Sequence, residues 1–132
     1  MTRLMRIGVP LLSFALLFAA PAAEAGWAFE GAGCTKNTDG SGNCWGNLTG
    51  FRNHAGTNTQ VYFQQLYYGS RGFGFTYNYP TSTVSGWCSP NATVASLWPM
   101  LMAHRGYFNI SWDASGVCTE LYLYHGSAYT DF

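Results

Sequence analysis

The sequence predicts a mainly β domain with a single helix, and three observations support this prediction. Apolar residues recur at the spacing of one helical face between residues 91 and 105. Apolar and polar residues alternate before that segment, in 73–79, and again after it, in 108–112 and 119–124. The chain also contains four cysteines, which are enough to link such strands covalently.

The N-terminus has the composition of a secretory signal peptide. Arg3 and Arg6 form a basic start, residues 7–20 are apolar, and small residues mark a cleavage site after Ala25. A membrane-spanning helix needs roughly 20 apolar residues, so the shorter run favours export over a stable membrane anchor. We therefore expect residues 1–25 to be removed and the protein to be secreted or periplasmic.

The cysteines predict two disulfides. Removing 25 of the 132 residues leaves 107, the length of one small domain. An even number of cysteines in such an exported domain indicates disulfide pairing. Three pairings are open, and we favour Cys34 with Cys44, because the segment between them is rich in turn-forming residues. Cys88 would then pair with Cys118.

The exported chain divides into an arm closed by the first disulfide, residues 26–43, and a single β-rich domain, residues 44–132. Residues 81–87 are interpreted as a continuation of the third strand after a bend. The expected order is that of the OB-fold, a five-stranded Greek-key barrel. The alternative is an open antiparallel sheet covered by one helix. The expected strands and helix, in the order βββαββ, cover 45–53, 61–68, 73–79, 91–105, 108–112 and 119–124.

The predicted helix contains a proline. Pro99 removes a backbone donor, so the helix either begins near Asn91 and kinks, or begins near Ser96. We favour the first alternative, because Asn91 can cap the helix. Gly106 follows where a left-handed C-terminal cap is expected. The apolar face of the helix consists of Val94, Leu97, Trp98, Leu101 and Met102.

The signal peptide and this order of elements resemble secreted OB-fold modules, including the B subunits of AB5-type bacterial toxins. The likeness includes residues 48–51 of the first strand, 61–63 of the second, and the helix–glycine–strand run 97–112. It implies a disulfide-linked barrel, a ring-forming homo-oligomer and glycan recognition. Some of those subunits place a small hydroxyl residue before the first-strand glycine at the sugar site, a position that Thr49 matches.

The charge balance limits the classes of partner. After residue 25 the chain has four Lys and Arg and five Asp and Glu residues, without a basic cluster, so we expect no nucleic-acid partner. A neutral, aromatic exterior suits carbohydrate, a protein surface or a second copy of the chain. We therefore expect a glycan or protein partner, with a homo-oligomer as a further possibility.

The sequence predicts no catalytic residue, metal site or cofactor. The cysteine spacing fits no zinc or redox motif, and motifs for nucleophiles and phosphate loops are absent. His54, His104 and His125 lie in unrelated segments, while Asp113 and Glu120 suit a turn and an exposed strand face. A small secreted hydrolase that pairs a histidine with one of these acids is the enzymatic alternative.

Exposed tyrosines supply the candidate binding surface. Tyr122 and Tyr124 alternate with leucines and face outward if those leucines are in the core. Together with the usual ligand surface of an OB barrel, this predicts a non-catalytic module that binds glycan or a protein surface. A structural subunit of an extracellular or envelope assembly is the alternative, and tyrosines that merely cover a small core explain the pattern equally. The candidate ligand-binding residues are Thr49, Arg52, Asn53, Tyr62, Asp113, Ser115, Tyr122 and Tyr124.

Overall fold

A computed structural model describes residues 31–56 and 58–126 of the chain. The predicted signal peptide and the first residues of the predicted arm lie outside these residues. The described part is mainly β, as the sequence predicts, with a sheet of seven strands and two helices. In chain order these are β1 Ala32–Lys36, β2 Gly42–Gly46, α1 Leu48–Asn53, β3 Gln60–Gln65, β4 Arg71–Asn78, β5 Thr83–Pro90, α2 Ala92–Ala103, β6 Tyr107–Trp112 and β7 Val117–Tyr124.

The strands form one open mixed sheet in the order β1-β2-β6-β7-β5-β4-β3. All neighbours are antiparallel except β5 and β7, which pair in parallel over Ser89 with Val117 and Pro90 with Cys118. The two edge strands, β1 and β3, are not paired with each other. The prediction of a closed five-stranded barrel is therefore wrong in strand number and in closure. The open-sheet alternative is closer, although it lacks the parallel pair and the second helix.

The core lies between two halves of this sheet, β1-β2-β6-β7 and β5-β4-β3. Phe73 and Phe75 of β4 face Phe108 and Trp112 of β6, with ring centroids 6.2 Å apart for Phe73–Phe108 and 4.9 Å apart for Phe75–Trp112. All four side chains are buried. Because the halves face each other, their outer faces point away from each other.

Side chains bridge the remaining gap between β1 and the other half. The Tyr77 hydroxyl donates to the Ala32 carbonyl at 3.1 Å, and the Tyr79 hydroxyl donates to the Cys34 carbonyl. Lys36 Nζ donates to the Ser85 carbonyl at 3.0 Å. Burial, together with the neighbouring Tyr79, raises the pKa of Tyr77, which keeps its hydroxyl a donor. These side-chain hydrogen bonds join β1 to the other half of the sheet, where a closed barrel would have backbone hydrogen bonds between two strands.

Helix α1 replaces the first strand that the sequence predicts at 45–53. Gly46, with φ of 141°, ends β2, and the Asn47 side chain then accepts a hydrogen bond from the Gly50 amide at 2.6 Å. This is an N-terminal helix cap, which alternation of apolar residues does not reveal. Phe51 is buried and stacks on Phe108 at 5.9 Å. Residues 48–51, part of the resemblance noted above, are therefore helical.

Helix α2 begins where the sequence analysis favours, since Asn91 Oδ1 accepts from the Val94 amide at 2.9 Å and Pro99 lies inside the helix. Val94, Trp98 and Leu101 are buried, and Leu97 is partly buried. The assignment of Met102 to the inner face is wrong, because its side chain is 50% exposed.

The end of α2 also differs from the prediction. The helix closes at His104, whose amide donates to the Leu101 carbonyl at 3.0 Å, and Gly106 has no positive φ. A Cβ at Gly106 would lie 2.3 Å from the Tyr124 carbonyl oxygen. Glycine at this position permits close packing against β7 and is not a left-handed cap.

Arg71 compensates for the missing donor of Pro99. A proline leaves the carbonyl four residues earlier without its helical partner, and in α2 that carbonyl belongs to Ala95. Arg71 Nη1 donates to the Ala95 carbonyl at 2.8 Å. Trp98 Nε1 donates to the Gln64 carbonyl at 3.1 Å, so α2 is attached to both β4 and β3.

Both predicted disulfides are present. Cys34 and Cys44 are direct cross-strand partners with Cα atoms 4.0 Å apart, and Cys88 and Cys118 join β5 to β7 with Cα atoms 5.2 Å apart. Two disulfides are typical of proteins that fold in an oxidising compartment.

The Arg71–Ala95 bond predicts energetic coupling between Arg71 and Pro99. We expect Arg71→Met to lower the free energy of unfolding by about 1–2 kcal/mol. In a Pro99→Ala background the amide of residue 99 can reach the Ala95 carbonyl, so the same change should cost about 1 kcal/mol less. Urea denaturation of the double-mutant cycle measures this difference. Arg52→Met, at an exposed arginine, is the control, and equal costs of Arg71→Met in both backgrounds would contradict the proposed compensation.

The two disulfides should contribute unequally to stability. Cys88–Cys118 spans 30 residues and Cys34–Cys44 spans 10. Chain entropy therefore predicts that replacing both cysteines of Cys88–Cys118 by alanine lowers the free energy of unfolding by about 3–4 kcal/mol. The same change at Cys34–Cys44 should lower it by about 2–3 kcal/mol. Urea denaturation compares them, and a greater loss from the shorter loop would show that chain entropy does not govern the difference.

Candidate functional site

The structure separates the candidate ligand-binding residues into four places. They therefore do not form one site. Tyr62 lies on β3, the residues of α1 lie beside the end of α2, and two further pairs lie in the β6–β7 turn and on β7. These groups are, in order, Tyr62; Thr49, Arg52 and Asn53; Asp113 and Ser115; and Tyr122 and Tyr124.

Asp113 and Ser115 organise the β6–β7 turn. Asp113 Oδ1 accepts from the Ser115 amide at 2.9 Å, from Ser115 Oγ at 2.7 Å and from the Val117 amide at 3.0 Å. The hydrogen bond from the Ser115 side chain, followed by the backbone bonds, holds the pKa of Asp113 below its ordinary value of 3.8. In the β1–β2 turn, Asp39 Oδ1 likewise accepts from the amide and the hydroxyl of Ser41, and these bonds lower the pKa of Asp39. These contacts give Asp113 the turn role that the sequence also suggests.

Tyr62 and Trp87 form an exposed pair of rings on the outer face of β3, β4 and β5. Both residues are register partners of Gly74, one on each side of β4. Their ring centroids are 5.8 Å apart and their planes are inclined by 41°. Tyr62 is 48% exposed and Trp87 is 43% exposed. We call this pair the Tyr62–Trp87 platform.

Two glycines of β4 allow the rings to lie against the strand. A Cβ at Gly72 would lie 1.7 Å from Trp87 Cζ2, and a Cβ at Gly74 would lie 2.3 Å from Tyr62 Cζ. Any larger residue at either position would displace a ring. The alternation of small and aromatic residues in 73–79 indicates room on this face, and these two rings occupy that room.

Uncharged polar side chains surround the platform. The register brings Gln60, Thr76 and Ser85 together on one side of the two rings. Gln64 and Ser89 lie at outward positions on the other side. Within the described strands β3, β4 and β5, the outward positions carry no charged side chain. The platform thus combines two apolar ring faces with neutral hydrogen-bonding groups.

Trp87 is absent from the residues that the sequence analysis selected. The reason is that residues 81–87 are predicted as an extension of the preceding strand, whereas Thr83–Pro90 is a separate strand that pairs with β4. The alternation of Ser85, Trp87 and Ser89 with the buried Cys88 contains the signal that locates Trp87 on the outer face.

A second aromatic group lies on the other half of the sheet. Tyr107 contacts Tyr124 with centroids 5.4 Å apart and stacks on Trp45 at 6.4 Å. Tyr122 and Tyr124 are 51% and 45% exposed, while Leu121 is buried. These outward tyrosines lie on β7, well away from Tyr62 along the sheet order.

Thr49 and Arg52 line a cleft of about 610 Å³ between α1 and the end of α2. Leu48 contributes to the α1 side, and Met102, His104 and Arg105 contribute to the α2 side. Asn53 is exposed at the end of α1.

His104 and His125 lie far from the turn aspartate. The rings of His104 and His125 are 6.1 Å apart at one end of the β6–β7 hairpin, and Asp113 follows the other end of β6, about 20 Å away along the strand. His54 Nδ1 accepts from the Gly56 amide at 3.0 Å. This geometry gives no support to a pair formed by His104 or His125 with Asp113.

Two further searches cover residues 31–56 and 58–126 only. No group of three or more His, Cys, Asp or Glu residues there is placed to hold a metal ion. No helix within those ranges has the length and apolar character needed to cross a membrane.

Comparison of the chain with protein-family models, curated proteins and solved structures gave no match. We therefore infer the function from the geometry of the described residues.

The turn aspartates predict acid-sensitive stability. Because the pKa of Asp113 is lowered in the folded state, its ionised form stabilises the fold above the ordinary value of 3.8, and this contribution is lost as the pH falls through the folded pKa. We expect the melting temperature to fall between about pH 5 and about pH 2, and to fall less in Asp113→Asn. Glu120→Gln is the control, since the Glu120 carboxylate accepts no hydrogen bond within the described residues. An unchanged acid profile in Asp113→Asn would contradict this role.

Proposed function

We propose that the protein is a secreted, non-catalytic binding module whose Tyr62–Trp87 platform binds neutral carbohydrate. The exposed ring pair on the glycine positions of β4 is the observation that carries this proposal. An exposed apolar patch that is rimmed by polar residues often marks a binding surface.

The chemistry of the platform suits a saccharide. One face of a pyranose ring presents C–H groups that pack on an aromatic ring, and its hydroxyls project sideways. Gln60, Thr76 and Ser85 supply neutral donors and acceptors beside the rings. Because the rings are supported by Gly72 and Gly74, they need little reorganisation on binding, which favours affinity.

Export is a further part of the proposal. The N-terminal composition predicts secretion or periplasmic localisation, and the two disulfides agree with an oxidising compartment. Extracellular and envelope spaces contain abundant glycans that such a module would encounter.

A protein surface is the second candidate partner, and the tyrosines of β6 and β7 favour it. Tyrosine is enriched at protein interfaces, because its ring is apolar and its hydroxyl can donate. Tyr122 and Tyr124 face outward on the half of the sheet opposite the platform. If this surface mediates self-association, the protein would serve as a structural subunit, and sedimentation would show oligomers that Tyr122→Ala weakens.

The platform predicts a specific pattern of variant effects. On an array of neutral oligosaccharides, the oxidised protein should bind a subset of glycans. Calorimetry with the best glycan should show that Trp87→Ala and Tyr62→Ala each weaken binding about tenfold or more, since central aromatic residues dominate such contacts. Trp87→Phe should retain part of the affinity.

Tyr67→Ala provides the matched control, because Tyr67 is a fully exposed aromatic residue in the neighbouring turn. It should bind as the unaltered protein does. A silent array would overturn the carbohydrate proposal. Binding that is lost in Tyr122→Ala and kept in Trp87→Ala would transfer the site to the β6–β7 face.

A further inference from the structure

The cleft between α1 and α2 has an unusual charge arrangement. Arg52 and Arg105 line the same concave surface, one from each wall. Within residues 31–56 and 58–126, neither guanidinium group forms a hydrogen bond or ion pair. The described residues that line the cleft include no Asp or Glu. Two like charges in one concavity repel each other and raise the local positive potential.

The position of the arginines explains only part of this arrangement. Arg52 lies in the last turn of α1 and Arg105 lies two residues after the end of α2, where a cation interacts favourably with the helix dipole. That effect is confined to each helix terminus and does not require the two cations to line one cleft. The acidic turn residues Asp39 and Asp113 lie at the opposite end of β2 and β6, so they do not neutralise it.

The same cleft also exposes apolar side chains. Leu48 is 45% exposed and Met102 is 50% exposed, and each contributes to a different wall. A volume of about 610 Å³ falls within the usual range for small-ligand sites of about 300–1,000 Å³. An occupant that satisfies this lining has an anionic group and an apolar group.

The walls are fixed by the core, so the cleft is formed before a ligand arrives. Phe51 anchors α1 in the aromatic core, and Leu101 anchors the last turn of α2. His104 Nε2 lies 3.0 Å from the Tyr107 carbonyl and must therefore carry the proton and donate, which fixes the ring. Preformed walls reduce the entropic cost of binding.

We propose that this cleft binds a small organic anion that also carries an apolar group. Arg52 and Arg105 bind the carboxylate or sulfate, and Leu48 and Met102 contact the apolar part. Guanidinium groups pair with such oxyanions through charge-assisted hydrogen bonds. This site is separate from the Tyr62–Trp87 platform, so the inference does not depend on carbohydrate binding.

Hexyl sulfate is the probe for this proposal, and hexanol and inorganic sulfate test its two halves separately. The oxidised protein is titrated with each compound while amide NMR shifts are recorded. Hexyl sulfate should saturate and shift the amides of 48–52 and 102–105. Hexanol and sulfate should each bind about tenfold or more weakly. Added salt should weaken hexyl sulfate binding.

Charge variants complete the test. Arg52→Gln and Arg105→Gln should each weaken hexyl sulfate binding about tenfold, and Met102→Ala should weaken it to a smaller extent. Lys36→Gln makes the same change in net charge away from the cleft and should have no effect. Equal binding of hexanol and hexyl sulfate, or unchanged binding in Arg52→Gln, would overturn the proposal. Co-sedimentation with anionic phosphatidylglycerol vesicles, without saturable hexyl sulfate binding, would replace it with a membrane-surface contact.

Discussion

The junction between β5 and β7 holds the two halves of the sheet together. The ladder there consists of only two parallel pairs, Ser89 with Val117 and Pro90 with Cys118. The bonds of this ladder include those from the Ser89 amide to the Gly116 carbonyl at 3.0 Å and from the Asn91 amide to the Cys118 carbonyl at 3.1 Å, and the Cys88–Cys118 disulfide reinforces it. Phe73 lies on β4, beside β5, and Phe108 lies on β6, beside β7, so this junction links the two facing sides of the core. A covalent bond is well suited to it, because a two-residue ladder alone contributes little.

The same junction positions α2. Asn91 bonds to β7 through its amide and caps the helix through its side chain, so the last residue before the helix is already fixed to the sheet. Trp98 then enters the core, and Arg71 supplies the Ala95 carbonyl with the donor that Pro99 lacks. Proline inside this helix is therefore tolerated through a tertiary contact. The C-terminal turn of α2 and helix α1 line the two walls of the cleft.

The sequence correctly predicts those strands and helices in which the regularly spaced apolar residues are also the buried residues. In β6, Phe108, Ile110 and Trp112 alternate with polar residues and are buried, so period two identifies the strand and its inner face. The prediction of secondary structure fails where a local hydrogen bond stabilises a helix in a segment whose apolar spacing fits a strand. Residues 48–53 contain apolar positions that fit a strand, but the Asn47 cap makes them helical. It also fails where pairing is long-range, because the parallel contact of β5 with β7 leaves no mark in either segment. The sequence also does not show which candidate residues lie together. Tyr62 and Trp87 become neighbours on the outer face only because β3 and β5 both pair with β4.

Strand β4 connects stability to the proposed function, because its inner face carries large core side chains and its outer face carries glycines that support the platform. Phe73 and Phe75 fill the core on the inner face, while Gly72 and Gly74 support the platform on the outer face. Glycine weakens an isolated strand, yet here each glycine is covered by an aromatic ring from a neighbouring strand. Each ring covers the backbone surface that a glycine leaves open, and Tyr62 and Trp87 remain about half exposed to solvent. A strand selected for stability alone could carry Thr or Val at both positions, and these residues would push the rings away. The conjunction of these two glycines with two exposed rings is the observation on which the proposed carbohydrate site rests.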